Sequence, residues 1–120
     1  MGQPVMQWQM IARNPEAQCD FYSGLFGWKI NADNALGYRT VDTGAARGIN
    51  GGIWPAPPEG KALVSLYVEV DDVAAFVERA AAMGAGVIVP PQKLPDGDEM
   101  AVILDPEGIP VGLFTAAAGR

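Results

Sequence analysis

The stretch Val64-Ser65-Leu66-Tyr67-Val68-Glu69-Val70, VSLYVEV, alternates without a break. Leu66, Val68 and Val70 fall on one side of an extended chain and Ser65, Tyr67 and Glu69 on the other, the two-residue period of a half-buried strand. One side suits a core, and the other offers a hydroxyl, a phenol and a carboxylate. Asp71 and Asp72 follow, then VAAFVERAAAMG, in which Val73, Phe76, Val77 and Ala80 recur at helical spacing before a stop at Gly84. Strand and helix therefore share an apolar side, and the polar side of the strand is left to face whatever the protein recognises.

Toward the N-terminus the pattern recurs. VMQWQMIA, Val5 to Ala12, places Met6, Trp8 and Met10 on one face and Gln7 and Gln9 on the other. Asn14-Pro15-Glu16 then opens a helix: Asn14 caps free N–H groups, Pro15 at the first position gives up no hydrogen bond, and Glu16 suits the positive end of the dipole. In AQCDFYSGLFG, Ala17, Phe21, Leu25 and Trp28 form one stripe with Tyr22 and Phe26 beside it, and the helix ends near Gly27. That stripe is predicted to be buried, in which case Phe21 contributes about 1.5 to 3 kcal/mol and its loss threatens the fold.

Short strands are expected near Trp28–Asn31, Tyr38–Asp42 and Ile49–Trp54, followed by a proline-rich linker at Pro55–Lys61. The chain then restarts. After the central strand and a helix over Val73–Met83 come strands near Gly86–Val89, Glu99–Leu104 and Pro110–Thr115. Turns at Pro95-Asp96-Gly97 and Asp105-Pro106-Glu107-Gly108 separate them. Both halves share the order strand-helix-strand-strand-strand, at a repeat of roughly sixty residues. The expected architecture is α+β: two βαβββ modules in tandem, residues 1–56 and 62–120, joined by residues 55–61 within one domain spanning 1–120. Side by side with their helices outside, such modules form an open, cup-shaped mixed sheet with the polar faces around a common groove.

Composition narrows the function. A hydrophobic content of 49% over 120 residues suffices for one core. A formal charge of -6 with scattered Lys and Arg argues against nucleic acid or an anionic membrane as partner. A single cysteine, no apolar run near the ~20 residues of a membrane span, and no secretion-signal plan lead to the expectation of a cytoplasmic protein. The absence of histidine removes Ser-His-Asp and Cys-His nucleophile systems and imidazole-held metal. Any metal would have to be held by Asp, Glu, Gln and water.

FYSGLFGW (Phe21–Trp28), Gly51-Gly52-Ile53, VEVDDV (Val68–Val73) and DPEGIPVGLF (Asp105–Phe114), in that order, resemble the vicinal oxygen chelate superfamily, which includes glyoxalase I, extradiol dioxygenases and bleomycin-resistance proteins. The resemblance covers nearly the whole chain. It implies paired βαβββ modules and a ligand in the cup, often completed by a second subunit, and so a homodimer. Metal-dependent members take one ligand from the first strand and one from the last strand of each module; those slots fall at Gln7, Gly52 or a neighbour, Ser65 and Gly112. Gln7 is an acceptable oxygen ligand, whereas two glycines and a neutral serine are not a working set. The glutamate that metal enzymes of the family place after the DP-x-G turn is replaced by Gly112, Leu113 and Phe114. No metal and no cofactor are therefore expected.

The remaining candidates share the face of those slots. Gln7, Gln9, Trp54, Ser65, Tyr67 and Phe114 are the expected ligand-binding residues, a mixture of aromatic surface and hydrogen-bonding groups that suits a small molecule. Glu69 is the candidate general base and Tyr67, or Tyr38, a hydrogen-bond donor to a carbonyl or enolate. Cys19 reads as buried and inert, and Asp105 and Glu107 as turn residues. Three functions compete: metal-independent binding of a small aromatic or carbonyl-containing molecule, a metal-free lyase or isomerase using Glu69 and Tyr67, and a protein-interaction module using the same face.

Overall fold

A computed structural model describes residues 2–32 and 37–117. Its described elements are eight strands and two helices, an α+β chain in the order β1 (Val5–Ala12), α1 (Pro15–Phe26), β2 (Lys29–Asn31), β3 (Arg39–Asp42), β4 (Gly51–Pro55), β5 (Leu63–Glu69), α2 (Val73–Ala82), β6 (Gly86–Lys93), β7 (Glu99–Leu104) and β8 (Pro110–Thr115). The βαβββ order thus occurs twice. The residues group into two compact units, Gln7–Ser65 and a second made of the residues up to Met6 with those from Leu66 onward.

In the N-terminal unit the strand order is β2-β3-β4-β1. β1 and β4 run parallel, with Trp8 opposite Gly51 and Gln9 opposite Gly52, while β3 is antiparallel to both β2 and β4. Alternation in β1 sends Trp8, Met10 and Ala12 to the helix side, where Ala12, Val41 and Ile53 form the buried centre and Trp8, Met10, Cys19, Trp28 and Ile30 pack around them. α1 begins as its sequence dictates: the Asn14 side chain accepts a hydrogen bond from the Ala17 N–H at 3.2 Å, with Pro15 at the first turn. It ends at Gly27, whose left-handed backbone (φ 71°) lets its N–H reach the Ser23 carbonyl at 2.9 Å.

The rotation of α1 differs from the sequence expectation. Phe21 and Leu25 are 58% and 59% exposed and Ala17 is also exposed, so of the predicted core stripe Trp28 packs on the core and the other three positions face outward. Gln18, Cys19, Tyr22 and Ser23, about 100° round the helix, are the half-buried side. The Tyr22 ring lies flat on Trp28, 5.2 Å between centroids and 14° between planes, and Trp28 leans on Trp8 at 5.2 Å. These two successive aromatic contacts, Tyr22 on Trp28 and Trp28 on Trp8, fix the helix's rotation.

In the C-terminal unit the order is β5-β8-β7-β6, with β5 parallel to β8 and the other pairs antiparallel. Val70, Val73, Val77, Ala101 and Leu113 are its buried centre, supported by Val68, Phe76, Ile103 and Val111. The core assignments for α2 thus hold, whereas Leu66, expected beside Val68 and Val70, is exposed in the middle of β5. Asp72 caps α2 by accepting from the Ala75 N–H at 3.1 Å. Asp105 accepts from the N–H groups of Glu107 and Ile109, each at 2.9 Å, which makes Asp105-Pro106-Glu107-Gly108 the turn its sequence indicates.

β6 runs four residues beyond its expected end at Val89 and includes Pro90 and Pro91. Its register with β7 shifts between Val89 and Gln92, and β6 pairs on one side only within this unit. Prolines are tolerated there because an edge strand with a bulge does not need their missing N–H groups.

Candidate functional site

Each unit carries a cluster on the face its helix does not cover. In the N-terminal unit, the core positions of Trp8, Met10 and Ile53 put Gln7, Gln9 and Ile11 of β1, with Gly52 and Trp54 of β4, on that face. β3 pairs Thr40 with Gly52, which carries Tyr38 alongside Trp54; their rings stack at 4.3 Å and 28°. The Gln9 amide Nε2 donates to Gln7 Oε1 at 2.8 Å and, at 3.4 Å, to the Tyr38 hydroxyl. The Tyr38 hydroxyl donates in turn to Gln7 Oε1 at 3.1 Å. Gln9 is only 4% exposed, and its Oε1 has no donor among the described residues.

The two glycines that open β4 serve one face each. A Cβ at Gly51 would overlap the Trp8 indole on the helix side, and the same indole donates to the Ile49 carbonyl at 3.3 Å. A Cβ at Gly52 would overlap the hydroxyl and ring of Tyr38 on the open face. Burial raises the Tyr38 phenol above its ordinary value, against a smaller lowering by its hydrogen bond with Gln9. The group is therefore a protonated donor at neutral pH. Cys19, on the helix side, also has its thiol raised, by burial first, with Arg39 opposing and Asp20 and Glu16 adding.

In the C-terminal unit the corresponding positions are Tyr67, opposite Gly112, and Glu69, opposite Phe114. Tyr67 stacks on Phe114 at 4.6 Å and 13°, and a Cβ at Gly112 would stand 2.6 Å from the Tyr67 ring. Phe114 is 6% exposed, so it supports Tyr67 and offers a ligand almost no surface of its own. Met100 lies across from Phe114 on β7, and Gln92 Nε2 approaches its sulfur at 3.6 Å. Ser65, the last residue of the N-terminal unit, is buried at 8% exposure. Glu69 is half-buried at the end of β5, and among the described residues its carboxylate has no ion-pair or hydrogen-bond partner.

Gln7, Gln9 and Trp54 come together with Tyr38, while Tyr67 and Phe114 form a second aromatic pair with Glu69 beside them. Tyr38 was legible as a donor but not as the group that links the two glutamines; Met100 and Gln92 carried no signal beyond strand parity.

The metal slots implied by resemblance do not fit an ion. Gln7 Oε1 already accepts two hydrogen bonds, which occupies both of its lone pairs. At Gly52 and Gly112, tyrosine rings stand in the space a ligating side chain needs. Among the described residues no group of three or more His, Cys, Asp and Glu side chains is placed to hold a metal. No described helix is long and apolar enough to cross a membrane.

A family model described as the Glyoxalase/Bleomycin resistance protein/Dioxygenase superfamily matches residues 5–113. Putative glyoxylase CFP32 from Mycobacterium bovis and from Mycobacterium tuberculosis is 36% identical over 104 residues, covering 80% of this chain and 39% of each relative. The chain therefore spans about two-fifths of the length of these curated relatives. Among solved structures, hypothetical protein BH1468 from Bacillus halodurans C-125 superposes with a TM-score of 0.70 at 11% identity, covering 100% of this chain and 99% of the other. Methylmalonyl-CoA epimerase from Mycobacterium tuberculosis gives 0.64 at 12% identity, over 94% and 87% of the two chains. A glyoxalase/bleomycin resistance protein/dioxygenase superfamily member from Vibrio splendidus 12B01 gives 0.63 at 10%, over 96% and 100%.

Proposed function

From the premise that this chain belongs to the glyoxalase/bleomycin resistance protein/dioxygenase superfamily, we propose that it binds a small planar organic molecule without a metal ion, on the face formed by Gln7, Gln9, Tyr38 and Trp54. The observation that carries this reading is the Tyr38 side chain over Gly52. A ligating carboxylate at that slot and the Tyr38 ring exclude each other. The ring instead joins Trp54 in an aromatic wall beside two amides, the composition of a small-molecule site. Stacking on Trp54, half-exposed at the end of the wall, supplies a large share of the affinity.

The test is a titration with naphthalene-sized aromatic probes followed by heteronuclear NMR, repeated after exhaustive chelation and after addition of divalent zinc, nickel or manganese. Binding that survives chelation and is lost in Trp54→Ala supports the proposal. Binding that requires an added metal, or no binding by any probe, refutes it. Nothing in the geometry favours a reaction through Glu69 and Tyr67: Tyr67 is packed between Phe114 and the Gly112 backbone, and no second group among the described residues engages the Glu69 carboxylate.

A further inference from the structure

We infer that the ligand of the Gln7–Gln9–Tyr38–Trp54 face presents a hydrogen-bond donor, an amide or heteroaromatic N–H, to Gln9 Oε1, and that the site selects against carboxylates and esters of the same shape. This inference rests on the binding function proposed above and specifies its chemistry. The hydrogen bonds of the cluster lead to it. The Tyr38 hydroxyl has one proton and gives it to Gln7 Oε1. Gln9 Nε2 gives its hydrogens to Gln7 Oε1 and to the Tyr38 oxygen. Gln7 Oε1, with two lone pairs, is then saturated. The Gln7 NH2 sits on a half-exposed side chain; the buried group left unpaired is Gln9 Oε1, an acceptor on a side chain 4% exposed, with no donor among the described residues.

A buried acceptor left unpaired is a standing penalty that a ligand N–H removes and an oxygen atom does not. Reversing the Gln9 amide alone is no remedy, because its oxygen would then face Gln7 Oε1 at 2.8 Å, acceptor against acceptor. Gln9 Oε1 is itself covered, so the ligand N–H has to displace that cover; on the same face Gln7 precedes Gln9 by two residues and Trp54 lies opposite Ile11 two residues further on, and both are half-exposed. The four side chains are neutral. A carboxylate there would lose its hydration with no cation among those four to replace it, on a chain of net charge -6. A ring that stacks on Trp54 and carries an N–H at its edge meets both requirements.

Three probes of one shape separate the possibilities: 2-naphthamide, its N,N-dimethyl derivative, and 2-naphthoate. Affinities come from NMR titration of wild-type protein, with the Gln9 side-chain amide and the Trp54 indole as reporters. The expected result is that 2-naphthamide binds about ten- to a hundredfold more tightly than either of the others, with a shift of the Gln9 amide resonance that the dimethyl derivative does not produce. Gln9→Met, which keeps length and removes the acceptor, is expected to bring 2-naphthamide and its N,N-dimethyl derivative within about twofold of one another. Equal affinities in the wild type overturn the inference while leaving the binding function standing. Tighter binding of 2-naphthoate overturns it as well. No binding by any of the three refutes the binding function itself. The wild-type comparison decides the matter even where Gln9→Met does not fold.

Discussion

Gly52→Ala isolates the contact on which the functional reading turns. The added methyl group would overlap the hydroxyl and ring of Tyr38, so Tyr38 has to leave. Its departure breaks the 3.1 Å bond to Gln7 and the weak 3.4 Å bond from Gln9, and it opens the 4.3 Å stack on Trp54. Overpacking costs about 1 to 3 kcal/mol, the lost hydrogen bonding about 1 and the stacking about 1. Against these stands a gain of about 0.4 to 1 kcal/mol from the stiffer unfolded chain, available because Gly52 does not use a left-handed backbone. The net expectation is a destabilisation of roughly 2 to 4 kcal/mol. Urea denaturation followed by tryptophan fluorescence measures it. A double-mutant cycle attributes it: in a Tyr38→Ala background the same Gly52→Ala change is expected to be neutral or slightly stabilising. A wild-type-like midpoint for Gly52→Ala, or an undiminished penalty in the Tyr38→Ala background, refutes the reasoning.

Two further predictions concern stability. Phe21→Ser, at a site 58% exposed, should change the unfolding free energy by less than about 1 kcal/mol, whereas Ile53→Ala, at 0% exposure, should cost about 2 to 5 kcal/mol in the same assay. The raised Tyr38 phenol fixes a sign for alkaline pH: the folded state holds the proton more tightly than the unfolded chain, so this contribution is intact below the unfolded value near 10 and is lost as pH rises through the higher folded value. Urea midpoints measured across that range should fall less steeply in Tyr38→Phe than in wild type; Cys19→Ser as a common background removes the thiol, which titrates in the same direction.

Much of the fold was legible because its signals are local. The alternation of VMQWQMIA and VSLYVEV assigns the strand faces correctly at Gln9, Tyr67 and Val70, and the caps at Asn14 and Asp72 work as their residue types require. The repeat is carried down to register: Gln9 faces Gly52 as Tyr67 faces Gly112. The rotation of α1 was not legible, because periodicity defines an apolar stripe but not its partner, and the stack of Tyr22 on Trp28 decided which side turned inward. The extent of β6 was misread because a Pro-Pro pair reads as a stop unless the strand is known to lie on an edge. At the site, Trp54 and the glutamines followed from parity. The role of Tyr38 did not, since it depends on which strand lies next to β4 and on the absence of a side chain at Gly52.

The glycine-tyrosine pairs also bear on how this scaffold can change its chemistry. A carboxylate installed at Gly52 alone meets Tyr38, and one installed at Gly112 alone meets Tyr67. Either replacement becomes sterically possible only when the tyrosine is shortened as well, and shortening it first strips Trp54 or Phe114 of its stacking partner. Each single step therefore passes through a less stable protein, and gaining a liganding residue in either unit takes two coordinated substitutions. For anyone evolving or redesigning this chain, the two tyrosines act as ratchets, and libraries that vary positions 38 and 52 together, or 67 and 112 together, are the ones with a passable route.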